Sequence, residues 1–553
     1  MLAAAIFAVT FILILAPLVY VFYGAFRTAA PGTPGASFTV AKWITVYTSP
    51  DYLIVCWNTL LLGIAVSLLS LAVGGTLAWI IARTNAYWRN QLALLIIVPL
   101  MISNLVTALA WIALAAPHAG FINFWAREVF GIPSLVNIYS FWGIVWVLVL
   151  HYASFAFLSL YAALRSIDAS LEEASYMLGG GPLRTGLRMT LPLVMPTLAT
   201  GFVIIFVFVA ENFSVPTLLG TPVGFETLPS RIYTEMAVTP TDPTLGAAAG
   251  TMLLWIALAG TLWQRRMLSR ASRYVTIGGK GGRHRLTDLG GARWLGTAFV
   301  IGFLFLAVGL PYLVLVLGSF LSFLTPHLRS SLFTFDNYRR LFQGNDFLPV
   351  QNSLILSALG GLGITFAYVL ISYLLSQYRG RFGRILDTIL IVPTAIPALV
   401  LGVGMVWAFV GLPLPIYGTM TILIIAYFIR YIGYGVRHAN TALIQVSSEL
   451  PEAARVLGAS PLRSFRDVLI PIIRPSILSL WTVLFIFIFM ELSVTILLYS
   501  PTSRTLPVVL WNYMASGFQT RAFAVAVFQA TLIFVVLFVA NRKFGTLRTT
   551  LEG

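Results

Sequence analysis

Charge is scarce in this chain. Of 553 residues, 9% are Asp, Glu, Lys or Arg, against 59% that are hydrophobic, whereas a soluble domain carries about 25% charged residues. That excludes the several soluble domains that the length alone would suggest. Cysteine is almost absent too. Cys56 is the only one, so neither an intrachain disulfide nor a Cys-based metal centre is available. The five histidines, His118, His151, His284, His327 and His438, are scattered without metal-ligand spacing, and no nucleophile–base constellation accompanies them. A nucleotide-binding motif is missing as well. The run Gly278-Gly279-Lys280-Gly281-Gly282 lacks the GxxxxGK[ST] spacing, and no apolar strand precedes it.

What the chain has is long uncharged runs: Met1 to Phe26, Tyr52 to Ala82, Asn90 to Ala126, Trp294 to Leu328, Phe347 to Tyr378 and Thr388 to Ile429. A hydrocarbon core about 30 Å thick needs roughly 20 helical residues to cross it. Twelve spans are expected, near 2–26, 56–82, 92–116, 139–164, 196–216, 245–264, 296–320, 352–376, 388–410, 416–437, 476–499 and 521–541. The first 26 residues have no basic segment ahead of their apolar run, and that run is too long for a signal peptide, so a retained helix is expected. The net charge is +16. If the first span runs outward, 24 Lys and Arg fall to the cytoplasmic side and 9 to the external side. Span-edge residues are counted with the adjoining loop, and Arg430 lies inside a span. This positive-inside bias makes the basic charge a sign of topology rather than of nucleic-acid binding. The fold class is therefore an all-α polytopic membrane protein.

The chain repeats itself. Glu173-Ala174-Ser175-Tyr176-Met177-Leu178-Gly179 followed by Pro182-Leu183-Arg184 returns 279 residues later as Glu452-Ala453-Ala454-Arg455-Val456-Leu457-Gly458 followed by Pro461-Leu462-Arg463. The register holds through Pro192 and Pro471, Pro196 and Pro475, and Ser214 and Ser493. A second register, of 294 residues, pairs Asn58-Thr59-Leu60 with Asn352-Ser353-Leu354 and Ile97-Val98-Pro99 with Ile391-Val392-Pro393. The 15-residue difference is taken up by an extra external stretch around Phe121–Val136. Two six-helix halves in parallel orientation follow, 1–264 and 296–553, with a pseudo-two-fold axis along the membrane normal and a path between them. The Gly- and Arg-rich segment 265–295 joins them and is expected to be a flexible cytoplasmic tether.

Each doubled segment sits in a cytoplasmic loop, about 165–195 and about 438–475. An acid (Glu173, Glu452) favours the N-terminus of a short helix, a glycine (Gly179, Gly458) ends it, and a proline (Pro182, Pro461) suits the first turn of the next. The plain alternative is a connector lying on lipid, but two copies in register favour a matched pair of protruding knobs. The pattern E-A-x(3)-L-G, then Pro, then Leu-Pro before the next span, resembles the EAA loop of binding-protein-dependent ABC importer permeases. The six-helix unit and the loop position match over nearly the whole chain.

The resemblance implies a type I ABC importer-like arrangement in a bacterial inner membrane, working with two ABC ATPase subunits and one extracytoplasmic solute-binding protein. It gives the role of ATPase coupling to Glu173, Ala174, Gly179, Pro182 and Arg184, and to Glu452, Ala453, Gly458, Pro461 and Arg463. It further implies that ATP and Mg are bound by the partner subunits and that this chain holds no cofactor. Two units in one polypeptide most resemble the ferric-iron permease group, with the thiamine permeases next. The first copy reads Gly179-Gly180-Gly181 where the second has Gly458-Ala459-Ser460, which should loosen the first turn and make the two ATPase contacts unequal.

Ionisable residues inside spans are functional candidates. Glu211 and Asn212 fall in the fifth span and Glu491, in register with Asn212, falls in the eleventh. Each lies roughly 22 Å along its helix from the proline that begins the span, toward the external mouth. There the carboxylates would attract cations, or else be satisfied by a neighbouring helix. Glu211 and Glu491 could hold a passing metal ion only transiently, with no dedicated metal site. In the tenth span Arg430-Tyr431 is in register with His151-Tyr152 of the fourth. Arg430 could pair with Glu491, anchor at an interface or touch the substrate, and His151 reads as a packing residue; with Tyr431, Glu211, Asn212, Ser214, Glu491 and Ser493 they are the candidates for lining the path. Asn58 and Asn352 are expected to bond across helices. Ser214 to Leu219 and Ser493 to Leu498 are candidate gates. The leading expectation is an importer permease for ferric iron, with thiamine, polyamines and aminoalkylphosphonates as rival cargoes. A channel leaves the doubled loops unexplained. So does an ion-coupled secondary transporter, which also needs charged relays within broken helices.

Overall fold

The computed structural model describes residues 2–167, 175, 177–271, 286–344, 347–376, 378, 380–411, 415–447 and 449–544. Ten of its helices are long and apolar enough to cross a membrane, and two sharply bent pairs bring the number to twelve if each pair counts as one span. Among the described residues β-pairing is limited to isolated bridges.

The first half contains α1 (Leu2–Ala25), α2 (Pro50–Arg83), α3 (Arg89–Leu95), α4 (Asn104–Ala115), α5 (Phe121–Phe130), α6 (Phe141–Ser166), α7 (Leu191–Ala210), α8 (Ser214–Gly220), α9 (Leu228–Ala237) and α10 (Pro243–Ala271). The second contains α11 (Arg293–Leu304), α12 (Leu310–Ser319), α13 (Leu348–Leu354), α14 (Gly361–Ser376), α15 (Gly380–Ile391), α16 (Ala398–Phe409), α17 (Met420–Ile444), α18 (Glu449–Val456), α19 (Ile470–Met490), α20 (Thr495–Leu498), α21 (Leu506–Ala515) and α22 (Gln519–Phe544). The extra external stretch of the first half is α5, which ends at Gly131 with φ 69°.

Helix starts follow from local chemistry. Pro50 opens α2, where its missing N–H costs nothing. Ser140 caps α6, its Oγ accepting from Gly143 N at 3.0 Å. Asp242 caps α10 by accepting from the backbone N–H groups of Thr244 and Leu245, both at 3.1 Å.

The third span of each half departs from the expected straight helix. Residues Arg89–Met101 and Asn104–Ala115 are bent by 93°, and Gly383–Ala395 and Ala398–Phe409 by 103°. The prolines explain it. Pro99 and Pro393 have no N–H with which to continue an α-helical ladder, so each sits in a single tight turn, closed by Ile102 N to Pro99 O at 3.2 Å and Ile396 N to Pro393 O at 3.1 Å. Ile102 and Ile396 are then extended, with ψ 128° and 116°.

Within each half the second and fourth spans cross tightly, by opposite means. Gly74 on α2 faces Ala153 and Ala156 on α6, where a Cβ would be 2.6 Å from the Ala156 methyl. At the equivalent positions of the second half the sizes are exchanged. Tyr368 on α14 lies over Gly435 on α17, and its hydroxyl donates to Phe428 O at 2.6 Å. The halves also clasp one another. Gly24 of α1 packs against the Trp407 ring of α16, and Gly404 of α16 against the carbonyl of Pro17, while α12 packs on α4.

The segment joining the halves differs from a free tether at its end. The run 278–282 lies outside the described residues, but Thr287 to Arg293 are docked on the loop after α2. Thr287 N donates to Arg83 O at 2.8 Å, Asn85 Nδ2 to Asp288 Oδ1 at 2.5 Å, and Leu289 N to Asn85 Oδ1 at 3.0 Å. Trp294 stacks against Tyr87 with ring centroids 4.4 Å apart. Tyr87 and Asn85, both on the first half, give this end a partner that a Gly/Arg composition alone does not reveal.

Candidate functional site

The second knob is described throughout its turn. Glu452 lies in the first turn of α18 and is exposed, as is Ala453. Gly458 follows with φ 88°, and Ala459 N donates to Ala454 O at 3.0 Å, the closure of a left-handed helix end that favours glycine. Pro461 opens a single turn to Ser464, and a wide turn, Phe465–Leu469, leads into α19. In the first knob Glu173 and Ala174 lie outside the described residues. The rest repeats the plan at the 279-residue spacing: Gly179 with φ 79°, Gly180 N to Ser175 O at 2.9 Å, Pro182 opening a turn to Thr185, and the wide turn Gly186–Thr190.

At the tips stand two apolar pairs. Met177 and Leu178 are 88% and 89% exposed, Val456 and Leu457 87% and 88%. These four residues were missed in the sequence, although an apolar pair ahead of each helix-ending glycine was there to be read. Around them Arg184 is exposed, and Arg463 and Arg466 approach Asp467 at 3.5 and 3.0 Å. Beside its glycines the first turn carries a hydroxyl contact of its own. Ser175 Oγ and Thr185 Oγ1 are 2.8 Å apart, and a Cβ on Gly180 would lie 2.6 Å from Ser175 Oγ. Gly180 therefore makes room for a hydroxyl stitch, whereas the second knob pairs Ala454 with Ala459.

The central candidates gather where α7 and α19 stop. Glu211 and Glu491 were expected inside spans, but the helices end at Ala210 and Met490, and the chain turns into α8 and α20. Asn212 Oδ1 accepts from Val215 N, and Glu491 Oε1 accepts from Val494 N, both at 3.2 Å. A short polar side chain can thus satisfy the next turn's backbone, which is why the break is tolerated in an apolar setting.

A tyrosine staples each break. Tyr152 of α6 and Tyr431 of α17 donate to the carbonyls of Phe208 and Phe487, both at 3.4 Å. The Tyr431 hydroxyl also lies 2.6 Å from Glu491 Oε2, and Asn212 Nδ2 lies 3.5 Å from the Tyr152 hydroxyl. Ser214 is buried and Ser493 half-buried beside these breaks.

Arg430 breaks the symmetry. Its partner is Glu211, with Nη2 to Oε1 at 3.0 Å, and not Glu491; its Nη1 donates to Ile396 O at 3.1 Å in the bend between α15 and α16. Glu491 is already engaged by Tyr431 and Val494, which leaves the Glu211 carboxylate, across the boundary between halves, as the free acceptor. The corresponding residue of the first half, His151, packs edge-on to Tyr152 at 5.0 Å, with its Nδ1 buried and unpartnered.

Above this level the halves meet at equivalent residues. Leu228-Pro229 and Leu506-Pro507 open α9 and α21, and five residues on stand Tyr233 and Trp511. Trp511 Nε1 donates to the Tyr233 hydroxyl at 3.1 Å, and Phe213 packs tilted against Trp511 with ring centroids 4.7 Å apart. Two related residues in mutual contact mark the pseudo-two-fold axis, and the aromatic cluster closes it. Both helices are hung from the second span of their own half in the same way. Asn58 Nδ2 reaches Glu226 O at 3.0 Å and Thr59 Oγ1 accepts from Leu228 N at 2.8 Å, while Asn352 Nδ2 reaches Arg504 O at 2.9 Å and Ser353 Oγ accepts from Leu506 N at 2.8 Å. Tyr233 and Trp511 were also missed, because the repeat was not extended at its 278-residue spacing. Among the described residues no group of three His, Cys, Asp or Glu could hold a metal ion.

Known proteins resemble this chain over most of its length. The family described as "Binding-protein-dependent transport system inner membrane component" matches residues 74–273 and 361–542. The "Ferric transport system permease protein FbpB" of Actinobacillus pleuropneumoniae is 26% identical over 464 residues, 80% of this chain and 63% of its own length. The chain thus spans less than two thirds of that relative. The "Putative ferric transport system permease protein FbpB 1" of Haemophilus influenzae is 28% identical over 477 residues, 85% of this chain and 74% of its own. The "Putative 2-aminoethylphosphonate transport system permease protein PhnV" of Salmonella typhimurium is 27% identical over 185 residues, 34% of this chain and 70% of its own. A solved bacterial ABC transporter involved in the import of the acidic polysaccharide alginate aligns with a TM-score of 0.35 and 19% identity, over 44% of this chain and 86% of that one.

Proposed function

The chain belongs to the family of binding-protein-dependent transport system inner membrane components, and from that premise we propose that it is the translocating subunit of an importer for ferric iron. In this reading residues 1–264 and 296–553 are the two permease halves and 265–295 is their cytoplasmic connection. Two ATPase subunits grip the knobs, one extracytoplasmic binding protein delivers the cargo, and ATP and Mg are held by the ATPases alone. The observation that carries the reading is the doubled knob. Two helix ends of the same geometry, 279 residues apart, each hold a bare apolar pair away from the bundle, and exposed apolar surface of that kind marks a partner's seat.

The cargo assignment is supported by the names of the two relatives that cover most of the chain. The chemistry of the centre agrees. Glu211, Glu491 and the Tyr152 and Tyr431 hydroxyls supply oxygen atoms, ligands that suit a hard cation. Arg430 favours the second reading, an aminoalkylphosphonate, whose anionic oxygens a guanidinium can hold.

The test separates partner from cargo. Leu178→Asp combined with Leu457→Asp should abolish co-purification of the co-expressed ATPase while the chain remains in the membrane. Retention of the ATPase would sink the coupling role. Uptake of radioactive ferric iron delivered by the cognate binding protein, set against 2-aminoethylphosphonate, decides the cargo.

A further inference from the structure

We infer that Arg430 is a latch that stands in for the transported cation. While the path between the halves is shut, its guanidinium occupies the Glu211 carboxylate; when the halves separate, it gives that carboxylate up. Closure of the gate and access of a cation to Glu211 then exclude one another. The inference rests on the reading of the chain as a cation importer.

Four observations lead here. The pair joins different halves, Glu211 at the end of α7 and Arg430 within α17, at 3.0 Å. Arg430 lies ten residues into a helix that starts at Met420, about 15 Å along it and so within the span. Its partner Glu211 lies two residues before Phe213, whose ring meets Tyr233 and Trp511 in the aromatic closure. Finally, the pair is single: the residues equivalent to Glu211 and Arg430 are Met490 and His151, so no second pair balances it.

The chemistry follows from the geometry. Glu491 is already held by a hydroxyl and a backbone N–H of its own half, so it stays satisfied whether or not the halves part. Glu211 loses its ionic partner if they do. A carboxylate left unpaired at that depth is costly, and a cation entering the gap offsets the cost. Arg430 keeps its bond to Ile396 O in the bend of α15 and α16, an anchor within its own half that draws the guanidinium away with α17. Arriving cation and closing guanidinium compete for one site, so reclosure itself favours release. This differential contact between two states is what coupling requires.

The experiment uses the whole transporter, with its ATPase and binding protein, in proteoliposomes. It reads ATP hydrolysis without binding protein and uptake of binding-protein-delivered ferric iron. Arg430→Met and Glu211→Gln each remove the latch. Both should raise hydrolysis about tenfold, a typical size for coupling between sites, and Glu211→Gln should cut iron uptake to less than about a tenth. Exchanging the charges, Glu211→Arg with Arg430→Glu, should bring hydrolysis back near the wild-type rate while uptake stays low, because the carboxylate now hangs from α17. Arg430→Lys guards against misfolding: it keeps the charge, loses the fork that reaches both Glu211 and Ile396, and should give an intermediate rate. Flat hydrolysis in both single variants overturns the latch, and so does full recovery of uptake on exchange, which a purely structural pair would show. A wild-type protein that carries no iron but shows the hydrolysis pattern leaves the latch standing and removes the cargo reading.

Discussion

Asp242 concentrates several bonds on one carboxylate. It accepts from two backbone N–H groups at the start of α10, from the Thr244 hydroxyl, and from Lys42 Nζ at 2.5 Å on a different external segment. Burial alone would raise its pKa, but the bonds from Lys42, Thr244 and Leu245 outweigh it and hold the carboxyl below its ordinary value. A carboxyl so depressed adds stability that is fully present above its unfolded value of about 3.9 and is lost as pH falls through the lower folded one. Asp242→Ala should lower stability by about 1–2 kcal/mol, the usual cost of losing a cap. Asp242→Asn should keep most of the cap yet flatten the acid side of the melting temperature between pH 5 and pH 2. An unchanged acid limb in the Asn variant would show that another group sets it. Asp288 repeats this at the end of the joining segment, held low by Gly290 N–H and the Asn85 amide.

At the scale of elements, the crossing of α14 and α17 depends on glycine. Tyr368 occupies the space a side chain at position 435 would need, and overpacking a tight core costs about 1–3 kcal/mol. Gly435→Ala should destabilise the second half by that order in a thermal melt. Adding Tyr368→Gly, which imports the pairing used at Gly74 and Ala156, should return most of the loss. No recovery in the double variant would mean that the Tyr368 hydroxyl bond to Phe428 O, and not its bulk, secures the crossing.

Much of this level was legible in the sequence. Apolar runs predicted the spans, and the repeat located Gly179 and Gly458 at helix ends, because a helix that must stop and turn writes itself in glycine and proline. The bends at Pro99 and Pro393 were written in the same alphabet but were swallowed by runs that look continuous to a hydropathy argument. The partner of Arg430 was not legible. A repeat relates Arg430 to His151 and Glu491 to Asn212 within the two halves, and says nothing about which side chains meet across the axis between them. Tyr233 and Trp511 are the exception, since equivalent residues that both lie on the axis must meet each other.

For the whole molecule, that contact joins the two halves at equivalent residues. Phe213 is 1% exposed and Leu492, its equivalent in the second half, 6%, so both positions are sealed while Tyr233 and Trp511 touch. The two halves are joined there by rings and one hydrogen bond, a contact that could part by rotation about the axis without unpacking either half. Cys56 is the sole cysteine, and a Cys56→Ser background makes the point measurable. Phe213→Cys and Leu492→Cys, one at a time, should resist an impermeant thiol reagent added from outside at rest. If ATPase subunits seat on the knobs as proposed and draw them together, each should react at least about tenfold faster when the assembled transporter is trapped with nucleotide. Two-fold logic adds a stricter demand: the two cysteines must become reactive together. Reactivity gained at position 213 alone would mean that the unequal knobs, one stitched by Ser175 and Thr185 and one not, move their halves separately, and that closure at the axis is not a single event.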